Sequence, residues 1–303
     1  MEAIKEDTTS LEINESLQEP YSDIQIGIDT INTEPVKEET IAKEAEPKIH
    51  ELFYPLISCI MPTANRYKYV LESIRSFLQQ DYPNKELIIV FDKVSDLPAM
   101  QFPPNVKVIQ AKNTILGAKR NEACRHAAGA IIAQWDDDDI YNTDRLTLQA
   151  MPIIAGEADI TGLQNFVFYE LTSGMGWLPK KSLFSEIFVG KVHGGSLVYN
   201  RQVWERLSIY PHFSLGEDAE FLDRVLKRRA RLKPLDGYSS YVYVRHNNNT
   251  WKFEDNNFRK YSGWMPARLP AWAIQQAQLY RSIAIADIPA KVMVNQYNQR
   301  VSK

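Results

Sequence analysis

The sequence predicts an α/β protein with a mostly parallel central sheet flanked by helices. Short apolar runs without alternation, such as Leu87-Ile88-Ile89-Val90-Phe91, read as strands buried on both faces. Segments with apolar residues at helical spacing lie between them, so strand and helix alternate. Three of the runs end in polar or carboxylate residues, and open parallel sheets bind ligands beyond the carboxyl ends of their strands.

Residues 1–51 precede this pattern. Residues 1–50 hold thirteen acidic residues against four lysines, contain no aromatic except Tyr21 and show no sustained period. That composition predicts a disordered acidic tail. The tail carries −9 of a net charge of −3, which leaves a mildly basic remainder of +6 that suits an anionic ligand.

The folded domain is expected over residues 52–251. Leu56 to Met61 is a buried strand stopped by Pro62. Val70, Leu71, Ile74, Phe77 and Leu78 then share one helical face, which ends at Asp81-Tyr82-Pro83-Asn84. Leu87 to Phe91 is the second strand, ending at Asp92, and Val106 to Ile109 the third. Gly117 to Ala128 is Ala-rich and helical, with Gly129 as its C′ residue. Ala130 to Trp135 is the next strand. Further on, Ala158 to Thr161 and Asn165 to Leu171 read as strands, Gly194-Gly195 as a turn entering a strand, and Gln202 to Leu207 as a short helix. Glu217 to Arg229 is a helix with Phe221, Leu222, Val225 and Leu226 on one face. Tyr241 to Val244 is a strand running into His246 and an Asn-rich turn. Residues 252–303 are expected as a helical C-terminal extension, amphipathic from Ala271 to Ile285.

Cys59 and Cys124 sit in apolar patterns, which suggests reduced, buried thiols. No apolar run reaches the length of a membrane span, and Met1 to Asp7 lacks the pattern of a secretory signal. The expectation is a soluble, cytoplasmic protein, with peripheral membrane contact left open.

The chemistry concentrates at Asp136-Asp137-Asp138-Asp139, which follows the apolar run ending at Trp135. Carboxylates this close repel one another and raise each other's proton affinity. A divalent cation relieves the repulsion, and hard oxygen ligands suit Mg²⁺ or Mn²⁺ shared with substrate phosphates. The plain alternative is a solvated acidic turn.

Several ordered motifs decide between the two. Ile57 to Arg66, Glu86 to Asp92, Gly117-Ala118-Lys119-Arg120-Asn121, Trp135 to Asp139 followed by Arg145-Leu146, and Gly216-Glu217-Asp218-Ala219-Glu220-Phe221 resemble the family 2 glycosyltransferases. The resemblance covers residues 54–251. It implies the GT-A, Rossmann-like fold and inverting transfer of a sugar from a nucleotide-sugar donor, with UDP as the default nucleotide and dTDP open. By the same resemblance, Asp138 is the direct metal ligand. Asp136 faces the ribose, through metal-bound water or directly, with Asp137 beside it, and His246 is a late ligand of the same Mn²⁺ or Mg²⁺. Pro62, Thr63, Ala64 and Asn65 form the nucleotide loop, Asp92 and Arg120 contact the base next to Lys119, and Gly194-Gly195 bring backbone close to the donor sugar. Asp218 is the general base and Glu217 its neighbour in the acceptor-side motif. A carboxylate at either position could instead stabilise a helix N-terminus. Trp177 and Trp251 suit either sugar stacking or core packing.

Two positions depart from the family pattern. Ala64 stands where an aromatic often stacks on the base, and Lys93 where a second aspartate is common. Two other readings stand beside the transferase: a non-catalytic nucleotide-sugar-binding or docking module on the same fold, and a sugar-1-phosphate nucleotidyltransferase. The second would want a Gly- and Lys-rich loop where Pro62 to Arg66 stands. The acceptor is an unspecified hydroxyl compound: a glycan, a lipid-linked sugar, a protein or another molecule. The basic cluster Lys227 to Arg231 with Lys233 has no nucleic-acid motif beside it, so nucleic acid is not an expected partner.

Overall fold

The computed structural model describes residues 54–246, 248–251 and 263–286. The expected acidic tail lies outside these residues, as do Asn247 and the ends of the C-terminal segment.

The main sheet has seven strands. In chain order these are β1 (Ile57–Thr63), β2 (Lys85–Phe91), β3 (Val106–Gln110), β4 (Ile131–Gln134), β6 (Ile160–Gln164), β9 (Val198–Asn200) and β10 (Leu232–Asp236), arranged β10-β6-β9-β4-β1-β2-β3. All neighbours run parallel except β9, which is antiparallel to both β4 and β6. Every residue of β1 and β4 is buried, which is why these strands read as continuous apolar runs. β10 contains Pro234, which an edge strand tolerates because one row of its amides pairs with nothing in the sheet.

Helices α1 (Tyr67–Leu78), α2 (Leu116–His126), α3 (Arg145–Ile154), α4 (Lys181–Ile187), α5 (Glu217–Lys227) and α6 (Ile274–Ala286) complete the frame. α1 turns Val70, Ile74 and Phe77 into the core that lies beneath β1 and β2. α2 and α5 pack on the opposite face through Ala123, Cys124, Phe221, Leu222 and Val225. Cys59 and Cys124 are buried free thiols, and burial pushes both up to about 12.

A second sheet, which the sequence pattern did not announce, has the order β12-β8-β7-β11-β5. Its strands are β5 (Ile140–Tyr141), β7 (Val167–Glu170), β8 (Met175–Pro179), β11 (Tyr241–Arg245) and β12 (Trp264–Ala267). β11 and β7 are parallel, and the other pairs are antiparallel. The C-terminal segment therefore contributes a strand as well as a helix. β12 pairs with β8, and Tyr280 of α6 donates to the Asp139 carbonyl at 3.2 Å. Trp177 is a core residue of β8, 4% exposed.

Gly129 is not a left-handed helix cap. α2 ends at His126, and Ala127 follows in extended backbone. The glycine is required by close approach: a Cβ there would lie 2.5 Å from the Leu56 carbonyl oxygen and 2.6 Å from Ser58 Oγ.

Arg145 is fully buried at the start of α3. Its guanidinium donates to Gln149 Oε1 (3.0 Å) and to the Gln134 carbonyl (2.7 Å), and lies over the Trp135 and Tyr141 rings at 5.1 and 4.5 Å. Carbonyl dipoles and ring faces hold this cation where water cannot reach. Arg145→Ala is expected to lower stability by about 3 kcal/mol, because it strips charged hydrogen bonds and leaves a void. Thermal denaturation checks this; a change within half a kcal/mol would contradict it.

Candidate active site

In the main sheet β1 lies between β2 and β4, so the chain leaves β1 in one direction and returns on the other side. That is the switch point at which open α/β sheets form a crevice. A cleft of about 480 Å³ opens there. It brings together Pro62, Thr63 and Ala64 after β1, Asp92 after β2, Lys119 and Arg120 of α2, Asp136 to Asp138 after β4, Gly194, and Glu217 and Asp218 of α5. Asn65, Gly195 and His246 do not line it, although each touches a residue that does or its support.

The four aspartates have separate fates. Asp136 pairs with Arg120 Nη2 at 2.9 Å. Asp137 accepts from Thr63 Oγ1 at 2.5 Å and Arg66 Nη1 at 2.8 Å, tying the end of β1 to the end of β4. Burial pushes Asp137 up to about 6, against the pull of Arg66, with Asp138 adding to the rise. Asp138 Oδ2 accepts from Arg66 Nη1 (2.6 Å), His246 Nε2 (2.9 Å) and Asn249 Nδ2 (3.3 Å). Burial raises this carboxyl too, but Arg66 and His246 outweigh it and hold Asp138 below the usual carboxylate range. Asp139 faces away, accepting from Tyr241 Oη (2.5 Å) and the Val244 amide (2.9 Å); it joins β4 to the second sheet.

Asp136, Asp138 and His246 do not converge on one point. Among the described residues no three His, Cys, Asp or Glu side chains form a metal-holding group. Asp138 and His246 do stand together, and Tyr69 stacks on the His246 ring at 5.2 Å. Arg120 holds Asp136 apart from them.

Arg120 is 3% exposed and also donates through Nε to Glu217 at 2.9 Å. It thus lies between two carboxylates rather than out in the open cleft. Burial pushes Glu217 up to about 7, opposed by Arg120 and reinforced by Asp218. Lys119, 4% exposed, pairs with Asp92 at 2.6 Å and donates to the Thr63 carbonyl at 2.9 Å.

Asp218 and Asp136 each press on a glycine. A Cβ at Gly194 would lie 2.3 Å from Asp218 Oδ2, and one at Gly195 would lie 2.7 Å from Asp136 Oδ2. The short 3-10 turn Gly194–Ser196 thus runs its backbone directly along both carboxylates. Gly194→Ala is expected to lower turnover by about 10²-fold by displacing the Asp218 carboxylate, with the fold retained. Steady-state kinetics beside a thermal melt checks it; unchanged kcat would show that the contact carries no function.

Of three supporting residues, Asp96 had no role in the sequence reading, while His193 entered only with the Gly194-Gly195 turn and Arg66 only as the end of the opening motif. Asp96, 1% exposed, accepts from the amides of Asn65 (2.8 Å), Asp92 (3.1 Å) and Lys93 (2.8 Å), and so clamps the loops after β1 and β2 together. It lies three residues after the lysine that replaces the family's second aspartate. His193 is buried against Tyr241 Oη at 3.2 Å, and burial pushes its imidazole down to about 4. Arg66 closes the opening motif. Phe188, Tyr243 and Trp251 form an aromatic wall of the cleft, with Trp251 centred 5.9 Å from Phe188 and 6.2 Å from Tyr243.

Residues 58–204 match the sequence profile described as glycosyl transferase family 2. This stretch is a family 2 glycosyltransferase domain. The chain is 37% identical over 101 residues to WcaA of Escherichia coli K12, a glycosyl transferase named for colanic acid biosynthesis; the match takes in 31% of this chain and 36% of that protein. It is 34% identical over 99 residues to WfgD of Escherichia coli, a UDP-Glc:α-D-GlcNAc-diphosphoundecaprenol β-1,3-glucosyltransferase, over 31% of this chain and 39% of that one. The matches thus span well under half the length of these relatives. The mannosyltransferase PcManGT of Pyrobaculum calidifontis, solved with GDP-Man and Mn²⁺, shares the fold at a TM-score of 0.51 and 14% identity, over 83% of this chain and 82% of that one. The family 2 domain therefore has the mixed α/β GT-A architecture. Among the described residues no helix is long and apolar enough to cross a membrane.

Proposed function

We propose that the protein transfers a sugar from a nucleoside-diphosphate sugar, with UDP as the first nucleotide to test, to an acceptor hydroxyl with inversion at the anomeric carbon. The observation that carries this reading is the cleft at the β1/β4 switch point, which brings Asp92 and Lys119 together with Asp138 and Asp218. Asp218 takes the acceptor proton, the acceptor oxygen bonds to the anomeric carbon, and the bond to the diphosphate breaks on the opposite face. The turn at Gly194 keeps the Asp218 carboxylate in place. Thr63, Arg66 and Lys119 fix the loop along which the nucleotide would lie.

The donor set suits a divalent ion. The Asp138 carboxylate and His246 imidazole stand 2.9 Å apart, and Mg²⁺ or Mn²⁺ on a phosphate substrate needs only one or two protein ligands. When bound, such an ion would neutralise the departing diphosphate. PcManGT, captured with Mn²⁺, names the first ion to try.

The aromatic wall of Phe188, Tyr243 and Trp251 supports a sugar acceptor, since sugar faces stack on such rings. The acceptor that WfgD is named for is a lipid-linked sugar, and that class is the one to test first. The test is release of nucleoside diphosphate from UDP-, dTDP- and GDP-sugars with Mn²⁺ or Mg²⁺, with and without a polyprenyl-diphosphate-linked sugar. Metal-dependent release from one donor, faster with acceptor, is expected. Absence of binding to every donor would sink the reading.

A further inference from the structure

Three donors converge on a single oxygen, Asp138 Oδ2: Arg66 Nη1, His246 Nε2 and Asn249 Nδ2. The nearest, at 2.6 Å, is a full cation that also bridges to Asp137 at 2.8 Å. A guanidinium this close competes with a divalent ion for the carboxylate, because the two cations repel and three donors crowd one oxygen. Arg66 is also the donor best able to leave. It sits in the turn between β1 and α1, its side chain is 19% exposed, and its Nη2 donates to one backbone carbonyl, Asn248 O at 2.8 Å.

We infer that Arg66 is a resident counter-cation: it neutralises Asp137 and Asp138 until donor and divalent ion arrive, then passes from the carboxylates to the diphosphate. The inference rests on the metal reading above and gives Arg66, there only a support of the loop, a second role toward the metal. Its planar fork of donors suits phosphate oxygens as well as carboxylates, so the transfer exchanges one charged partner for another. Before donor arrives, the metal-competent state is only the fraction with Arg66 swung out, and apparent metal affinity falls by that fraction. Donor supplies Arg66 with a new partner, so nucleotide and metal each favour the other's binding.

The test is calorimetric titration of the full chain with MnCl₂, alone and with UDP. Arg66→Gln removes the charge. It is expected to bind Mn²⁺ at least about tenfold more tightly than the parent without nucleotide, and to show a smaller tightening when UDP is added. Arg66→Lys, which keeps the charge but lacks the planar fork that suits phosphate oxygens, should fall between them, and serves if the Gln variant does not fold. Equal or weaker Mn²⁺ binding by the variants overturns the inference. Asp138→Ala separates the two readings. If it abolishes Mn²⁺ binding while the Arg66 variants match the parent, only the counter-cation role falls. If the parent binds no Mn²⁺ even with UDP, both fall.

Discussion

Asp218→Asn is expected to lower kcat for sugar transfer by about 10³-fold while leaving the KM for donor within about twofold, because it removes the proton acceptor and little else. The amide has the shape of the carboxylate, so the contact with Gly194 persists, and the oxygen that accepts the Ala219 amide at 2.7 Å is kept. Glu217 is the proper comparison. It lies next in sequence and is poised near neutrality, but Arg120 engages it at 2.9 Å. Glu217→Gln retains an acceptor for Arg120 and should lower kcat far less. Steady-state kinetics of both variants, with nucleoside-diphosphate release as readout, decides the matter. A larger kcat loss in Glu217→Gln would exchange their roles.

The second large effect concerns Asp138. Asp138→Ala is expected to reduce donor turnover by about 10³-fold at saturating Mn²⁺, because the leaving diphosphate loses its principal electrostatic support. Asp139→Asn should behave differently. Asp139 accepts from Tyr241 and Val244 and is fully buried, so its substitution acts on the junction with the second sheet and lowers the melting temperature instead. Kinetics and melts on the two variants side by side would show this split. If Asp138→Ala retained parental turnover, the metal assignment would be wrong.

That contrast marks how far the sequence could be read. A run of four identical carboxylates gives no sign of which faces the cleft. The answer depends on Thr63, Arg66, Arg120 and Tyr241, which approach from 16 to 102 positions away. The strands of the main sheet that bind the site were legible because burial on both faces leaves unbroken apolar runs, as in β1, β2 and β4. Of the second sheet, β7 and β11 were legible as strands, while β5, β8 and β12 were not. β5 has two residues, β8 contains Gly176 and ends in Pro179, and β12 contains Pro266, so no period emerges. Arg145 was legible as part of a motif but not as a buried cation. Arginine is rarely a core residue, and the rings and carbonyls that hold it are brought together only by the fold. Arg66 read as the end of a motif because its partners lie more than seventy positions away. The glycines were legible as a turn, while the reason for them, two carboxylates against bare backbone, is tertiary.

The pairing of β12 with β8 separates two boundaries that a motif search would merge. Among the described residues, every one that lines the cleft falls at or before Trp251, so a protein shortened there would keep all of these side chains. It would also strip β8 of its outer neighbour and bare a row of unpaired amides and carbonyls, a ready template for another chain. The described cleft residues thus end before the strand that covers the edge of the second sheet, and residues remote from the cleft guard that edge against other copies of the chain.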